Sequence, residues 1–345
     1  MTIRVEELTA SDDSDLTGFL NRLGKVTPSV LGYHYPFYRD LLVEAGAGKP
    51  VYLGARLHGD LVGFLPAFVR ESSAGIVYSS LPYFGPNAGV LCGDHELRAE
   101  IHAVLLRALL ERADQDAALS CSIYTPFMFD RFDLYDTALP GATVVNKFTL
   151  HLDVTTFTPS KGIAYDLRRT KQLGVEVSKD ITAQRVEDFY LLYEQNCRDY
   201  GIPLKSKRCV ESLLREDILG QHTDIYFAFH REKLVAGLLM IWSPLTASYY
   251  IPCTLAGARA LQPSTLLIDQ AVQDARARGI QLWNWESSPS RESGVYQFKK
   301  KWGSIEGTYR IYLQTFRPHE TFRCLGREGI LRHFPFYFVY SFNQL

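Results

Sequence analysis

The chain has 345 residues, 46% of them hydrophobic and 22% charged, which is material for two domains with cores of their own. Lys and Arg number 37 against 38 Asp and Glu, so there is no overall basic footprint for duplex DNA and any anion site must be local. Six cysteines without CxxC spacing exclude a zinc finger and a disulfide framework, and no metal site is expected.

The predicted elements follow in chain order. The polar start, Met1 to Glu7, has no secretory character. Ser11 to Gly24 reads as a helix with Leu16, Phe19, Leu20 and Leu23 as its apolar stripe, and residues 27–38 read as loop. Val51 to Arg70 is a hairpin turning at His58-Gly59-Asp60, and Ile76 to Tyr78 is a strand. Ser80 to Asn87 is a turn-rich aromatic loop. Asp94 to Ala113 is an amphipathic helix, 118–124 a strand, 127–136 a short helix and 143–152 a strand. Helices are then expected over 163–174, 186–199 and 207–219, and a second hairpin over 225–241 turns at Arg231-Glu232-Lys233. A strand at 247–253, a loop at 254–263, a helix at 264–278 and a strand at 280–285 complete this half. No run approaches the roughly 18 apolar residues of a membrane span, and a cytoplasmic location is expected.

The two halves share one order: helix, hairpin, strand, irregular loop, long helix, strand. Tyr52…Leu61-Val62-Gly63 answers Tyr226…Leu234-Val235-Ala236-Gly237, and helix 94–113 answers helix 264–278. That implies two similar domains in tandem. The expected boundaries are 1–155, 156–315 and an aromatic tail, 316–345, packing on the body. A dimer or lipid contact is the alternative reading of that tail.

Gly294 to Gly303 follows the last of these strands. Val295, Phe298 and Trp302 fall on one helical face and Lys299, Lys300 and Lys301 on the rest. Such a run serves either as a solvated face over a packed stripe or as a functional cation.

Three stretches together carry a resemblance: Asp166-Leu167-Arg168-Arg169-Thr170-Lys171-Gln172, Gln262-Pro263-Ser264-Thr265-Leu266-Leu267, and Gly294-Val295-Tyr296-Gln297-Phe298-Lys299-Lys300-Lys301-Trp302-Gly303. With the loop Ser80-Leu81-Pro82-Tyr83-Phe84-Gly85, they resemble FemAB-like and FemAB/CelD-type proteins, tandem members of the GNAT N-acyltransferase superfamily, over roughly residues 50–315. The resemblance implies a mixed α/β fold with two GNAT-like domains, each a mostly antiparallel mixed sheet flanked by helices. It implies transfer of an acetyl or aminoacyl group to a primary amine of a cell-wall, sugar or small-molecule acceptor. The implied donor is acyl-CoA or aminoacyl-tRNA. The family's long charged helical hairpin has no counterpart here, so tRNA contact through such an arm is not expected. Phe298 and Lys299 match the family's Phe-Lys pair beside the reacting groups, and Tyr249 or Tyr250 its acceptor-groove tyrosine.

Amide formation needs a positive group where the oxyanion develops and a base for the amine. Lys299 is the candidate cation, and Glu286 the candidate base, with salt-bridge or capping duty as its other reading. Tyr249 completes the catalytic set. Phe298, Tyr250, Tyr296, Trp285, Arg168, Arg169 and Lys205 are candidates for substrate binding, the arginines facing phosphates of tRNA or of a nucleotide-linked acceptor. Arg259 and Ser264 are candidates for an acyl-CoA pyrophosphate at a helix start. The loop before that helix, Leu255 to Pro263, has one glycine and departs from the Gly-rich acyl-CoA pattern. This departure supports an alternative, a non-catalytic tandem module binding a nucleotide-linked or peptide ligand. His151, His222 and His230 lack a partner constellation and read as structural. A homodimer is compatible with the sequence.

Overall fold

The computed structural model describes residues 2–83, 87–93 and 96–342. Phe84 and Gly85 of the aromatic loop and the expected helix start at Asp94 lie outside the described residues. The chain forms two compact units, one of residues 1–147 and 308–345, the other of residues 148–307. The expected divisions at 155 and 315 are thus displaced. The chain passes into the second unit inside a strand, and the closing strand returns to the first unit, where Ile311 to Thr315 pair with Tyr124 to Ser120.

In the first unit β1 (Arg4–Leu8), β2 (Lys49–Leu57), β3 (Asp60–Ser72) and β4 (Gly75–Ser79) pair antiparallel in turn, with β5 (Leu91–Cys92) against β3. Helices α1 (Asp13–Gly24) and α2 (Pro36–Glu44) precede β2. After β5 come α3 (Arg98–Gln115), β6 (Ser120–Tyr124) and α4 (Phe132–Ala138). Helix α3 buries Ile101, Leu105 and Leu109 at helical spacing, and it crosses to β6, which lies parallel to β4.

The second unit repeats this plan. It opens with β7 (Thr143–Asp153), α5 (Lys161–Gln172), β8 (Val175–Ser178), α6 (Ala183–Tyr200) and α7 (Lys207–Ser212). The hairpin β9 (Thr223–His230) and β10 (Lys233–Trp242) turns on Arg231 and Glu232, both at positive φ, the mirror-image turn that matches strand twist. Strand β11 (Thr246–Thr254) pairs antiparallel with β10. Helix α8 (Pro263–Ala277), with proline in its first turn, crosses to β12 (Leu282–Asn284), parallel to β11. Then come α9 (Gly294–Lys301) and β13 (Ile305–Thr315), and α10 (His319–His333) lies in the first unit. The strand order in this unit is β7-β12-β11-β10-β9-β8.

Both units therefore hold the same motif: an antiparallel hairpin and third strand, a crossover helix, and a parallel strand. The residue match drawn above does not hold. Tyr52 lies under Arg39 of α2, whereas Tyr226 donates to Asp274 of the crossover helix α8 at 2.8 Å. Gly63 faces Ile101 of the crossover helix and Gly237 faces Phe189 of α6. The two sequences are out of phase by one strand residue, which turns every side chain to the other face.

The helix expected at 207–219 ends at Ser212, and the loop at 27–38 contains the start of α2. The aromatic tail packs on the first unit: Phe334 is buried, Tyr337 donates to the Ala47 carbonyl (2.9 Å), and the Val339 carbonyl accepts from Ser120 (2.8 Å).

Candidate active site

The site is built where β11 and β12 part. They pair from Thr246/Leu282 to Ser248/Asn284 and no further. Beyond that point β11 runs on to Thr254, while the Trp285 N–H turns to the Leu150 carbonyl of β7 (2.9 Å).

Alternation sorts the side chains around this fork. Trp283 and Trp285 enter the core with Tyr249, their ring centres 5.1–5.9 Å apart. Asn284, in register with Ser248 on β11 and His151 on β7, takes the opposite face. Trp285 and Tyr249 are thus part of the packed floor, and burial pushes the Tyr249 hydroxyl up in pKa.

Past β12 the backbone turns sharply. Glu286 has φ +59°, a left-handed conformation uncommon outside glycine. Its N–H donates to Asn284 Oδ1 (3.0 Å), and Asn284 Nδ2 donates to its Oε1 (2.7 Å). The Thr149 hydroxyl donates to Asn284 Oδ1 (3.4 Å) and reaches the Glu286 carbonyl (3.5 Å).

Helix α9 starts on Ser293, whose hydroxyl accepts from the Tyr296 N–H (3.2 Å). Phe298 and Trp302 pack on Trp285 at 6.4 and 6.1 Å, while Val295, the third residue of the expected stripe, is exposed. The three lysines divide. Lys300 donates to the Ser304 carbonyl (2.7 Å) and Lys301 pairs with Asp166 of α5. Lys299 is 4% exposed, and its Nζ donates to the carbonyls of Ser287 (2.8 Å) and Glu286 (3.4 Å). Burial lowers its pKa to about 8, opposed by the Glu286 charge.

Lys205 approaches from the loop after α6. It is buried, with Nζ 4.9 Å from the centre of the Tyr250 ring. Burial lowers its pKa, opposed by the Cys209 and Cys197 thiols and by Glu286. Glu286 therefore acts on two buried ammonium groups, one from α9 and one from the α6 loop.

The structure thus brings Lys299, Glu286, Lys205 and Tyr250 together over a floor of Phe298, Trp285 and Tyr249. The contacts of the other sequence candidates run elsewhere. Tyr296 donates to Glu306 (3.0 Å), and Arg168 and Arg169 are exposed on α5. Arg259 stacks on Tyr200 (5.4 Å) in a short 3-10 turn, and Ser264 shares a hydrogen bond with Thr254 (2.6 Å). Both residues stand around the start of α8, and Gly257 of the preceding turn has open space around it. Sequence reasoning missed Thr149, Ser248 and Asn284. Their signal was the alternation of polar and apolar residues along Thr149-Leu150-His151-Leu152 and Trp283-Asn284-Trp285-Glu286. Among the described residues no group of three or more His, Cys, Asp or Glu stands together as a metal site, and no helix is long and apolar enough to cross a membrane.

Comparison with known proteins places this tandem α/β architecture among GNAT-type folds. Residues 160–285 match the family model of the acetyltransferase (GNAT) domain. The chain is similar in structure to FemX, with a TM-score of 0.67 and 11% identity over 89% of this chain and 96% of that one. It is also similar to L-PGS from Bacillus licheniformis (TM-score 0.59, 16% identity, 94% and 98% covered). A tandem GNAT protein from the clavulanic acid biosynthesis pathway gives 0.56 at 11% identity, with 92% and 99% covered. At such identities the likeness is one of fold. No curated protein matches. The chain shares the fold of these tandem proteins, and residues 160–285 of its second unit match the GNAT acetyltransferase domain.

Proposed function

We propose that the protein is an N-acyltransferase that moves an acyl group from a thioester or ester donor to a primary amine, with Lys299 as the positive group at the reacting carbonyl. The observation that carries this reading is the Lys299 ammonium, buried and tied to the Ser287 and Glu286 carbonyls beside the fork of β11 and β12. An ammonium has three donors, and two are spent on those carbonyls. The third is available to the donor's carbonyl oxygen. The amine nitrogen attacks the carbonyl carbon, its electrons move to oxygen, and the oxyanion forms against Lys299 in a water-poor setting, where a fixed charge acts strongly. Collapse expels the thiolate or alkoxide, which leaves with the proton given up by the amine. The Glu286 carboxylate favours the charged form of both lysines, and Lys205 stacks on Tyr250.

The acyl donor is acyl-CoA or aminoacyl-tRNA, and the 3-10 turn at Ala256–Leu261 weighs against a CoA pyrophosphate held in the usual GNAT manner. The same turn favours a second reading, a ligand-binding module without turnover. Incubation with acetyl-CoA or alanyl-tRNA and a set of primary amines, followed by mass spectrometry, separates the two. Transfer that is lost in Lys299→Ala supports the enzyme, whereas tight binding without product from any pair supports the module.

A further inference from the structure

The acyl-transfer reading leaves Asn284 without a role, although this side chain is wholly buried and stands at the last paired position of β12. A buried carboxamide is retained where its donor and its acceptor are both used. Here its Oδ1 takes the Glu286 N–H at 3.0 Å and its Nδ2 reaches Glu286 Oε1 at 2.7 Å. One side chain thus grips one residue at the backbone and at the carboxylate. Aspartate has no donor for the second contact, and leucine has neither. The residue so gripped is in the left-handed region, and its carbonyl is one of the two that hold Lys299. The Thr149 hydroxyl closes the chain of contacts, touching both Asn284 Oδ1 and the Glu286 carbonyl.

We propose that Asn284 is a positioning residue for acyl transfer: by clamping Glu286 at its N–H and its carboxylate, it holds the carbonyl and the charge that orient the Lys299 ammonium. It touches neither Lys299 nor a substrate and acts through Glu286 alone. This inference rests on the acyl-transfer reading for its kinetic consequence, and the orientation of Lys299 is measurable without turnover.

The test follows Lys299 itself. The charged and titratable groups around it are known. Glu286 is the charge acting on it, and the same carboxylate acts on Lys205. Lys300 is tied to the Ser304 carbonyl, Lys301 to Asp166 of α5, and His151 stands opposite Asn284 on β7. Protein labelled with 13C-lysine is titrated by NMR, the Lys299 signal being assigned from Lys299→Arg. Loss of the clamp admits water to Lys299, so Asn284→Ala is expected to move its midpoint upward from about 8 toward the ordinary lysine value of 10.5. Misplacement of a reacting group by an ångström costs on the order of a hundred-fold, so kcat with a working donor and amine falls by about ten- to a hundred-fold while KM changes little. Asn284→Leu keeps the approximate volume, adds no charge and loses both contacts. It serves where the alanine variant does not fold, and the same upward shift is expected.

A thermal destabilisation with an unchanged Lys299 midpoint would make Asn284 a structural residue only and overturn the proposal. So would a kcat unchanged within about two-fold, a difference too small for a group that sets near-attack geometry. Failure of the wild type to transfer acyl groups from any donor overturns the acyl-transfer reading instead, and the NMR midpoint still decides whether Asn284 sets Lys299.

Discussion

The ammonium of Lys299 lies 2.8 Å from the carbonyl oxygen of Ser287, inside the fold and twelve residues downstream of it in the chain. That bond joins helix α9 to the turn that ends β12, and it separates Lys299 from the two lysines that follow. Lys300 donates to the Ser304 carbonyl and Lys301 makes an ion pair, while Lys299 is buried against two backbone carbonyls. Burying an ammonium against neutral acceptors costs stability, and such groups cluster at functional sites.

The burial has a consequence for stability. The folded-state pKa of Lys299, about 8, is below its ordinary 10.5, so the unfolded chain binds more protons between these values. Stability therefore rises with pH across about 8 to 10.5, as the penalty of burying the ammonium is relieved. The full effect is about 3.5 kcal/mol at most, at roughly 1.4 kcal/mol per pKa unit. Urea denaturation of the wild type and Lys299→Met at pH 7.5 and 10 checks it: the difference between the two proteins shrinks in the variant's disfavour if the sign is right.

The lysine run is predicted to be unequal under substitution in stability as well. Lys301→Ala leaves the buried Asp166 carboxylate without its ion-pair partner and is expected to lower stability by about 1–3 kcal/mol. Lys300→Ala removes one contact from an exposed residue to the Ser304 carbonyl and is expected to cost about 0.5 kcal/mol or less. Midpoints of chemical denaturation for the two variants rank them.

Gly237 is a packing position. A Cβ there would stand 2.4 Å from Phe189 Cδ2 and 2.7 Å from its Cε2, so α6 would have to move off the sheet. Gly237→Ala is expected to cost about 1–3 kcal/mol by overpacking, and Phe189→Leu in the same chain to recover part of it. A double-mutant cycle measures the coupling.

The C-terminal aromatics are predicted to serve the first unit. Phe334 is fully buried, so Phe334→Ala is expected to cost about 3–5 kcal/mol. Sedimentation with anionic and zwitterionic vesicles, run beside thermal melts, tests the membrane reading of the tail. Loss of stability without vesicle binding in the wild type supports packing, and vesicle binding lost on deletion of 331–345 contradicts it.

Much of this architecture was legible because local signals agreed. His58-Gly59 and Arg231-Glu232 marked two hairpins, and the crossover helix was expected at 264–278. Strands β1, β5, β8 and β13 were missed. Each is an edge or terminal strand or is rich in polar residues, with weak alternation of its own, and pairing decides its state. The tandem repeat was visible as an order of elements, but matching Gly63 with Gly237 failed, since a one-residue shift of phase leaves the hydrophobic pattern of a buried strand almost unchanged. At the site, Lys299 stood out through its neighbours Phe298 and Trp302 and through the family resemblance. Asn284 and Thr149 did not, because their meaning depends on β7, β12 and β11 lying side by side. Arg168 and Arg169 read as a basic element from sequence, and nothing in the strand pattern told whether that helix face turns toward Lys299.

The Lys299 charge, and not merely its bulk, is predicted to support acyl transfer. The most direct measurement is kcat/KM against pH for the wild type, Lys299→Arg and Lys299→Ala, using an acceptor amine that is already unprotonated at pH 7. The wild type is predicted to lose activity as pH rises through about 8, where the ammonium is discharged. Lys299→Arg, which keeps its charge, is predicted to hold whatever activity it has through that range. Lys299→Ala is predicted to fall by about a hundred- to a thousand-fold, the usual cost of removing one oxyanion donor. Activity that rises through pH 8 in the wild type and persists in Lys299→Ala would contradict the account.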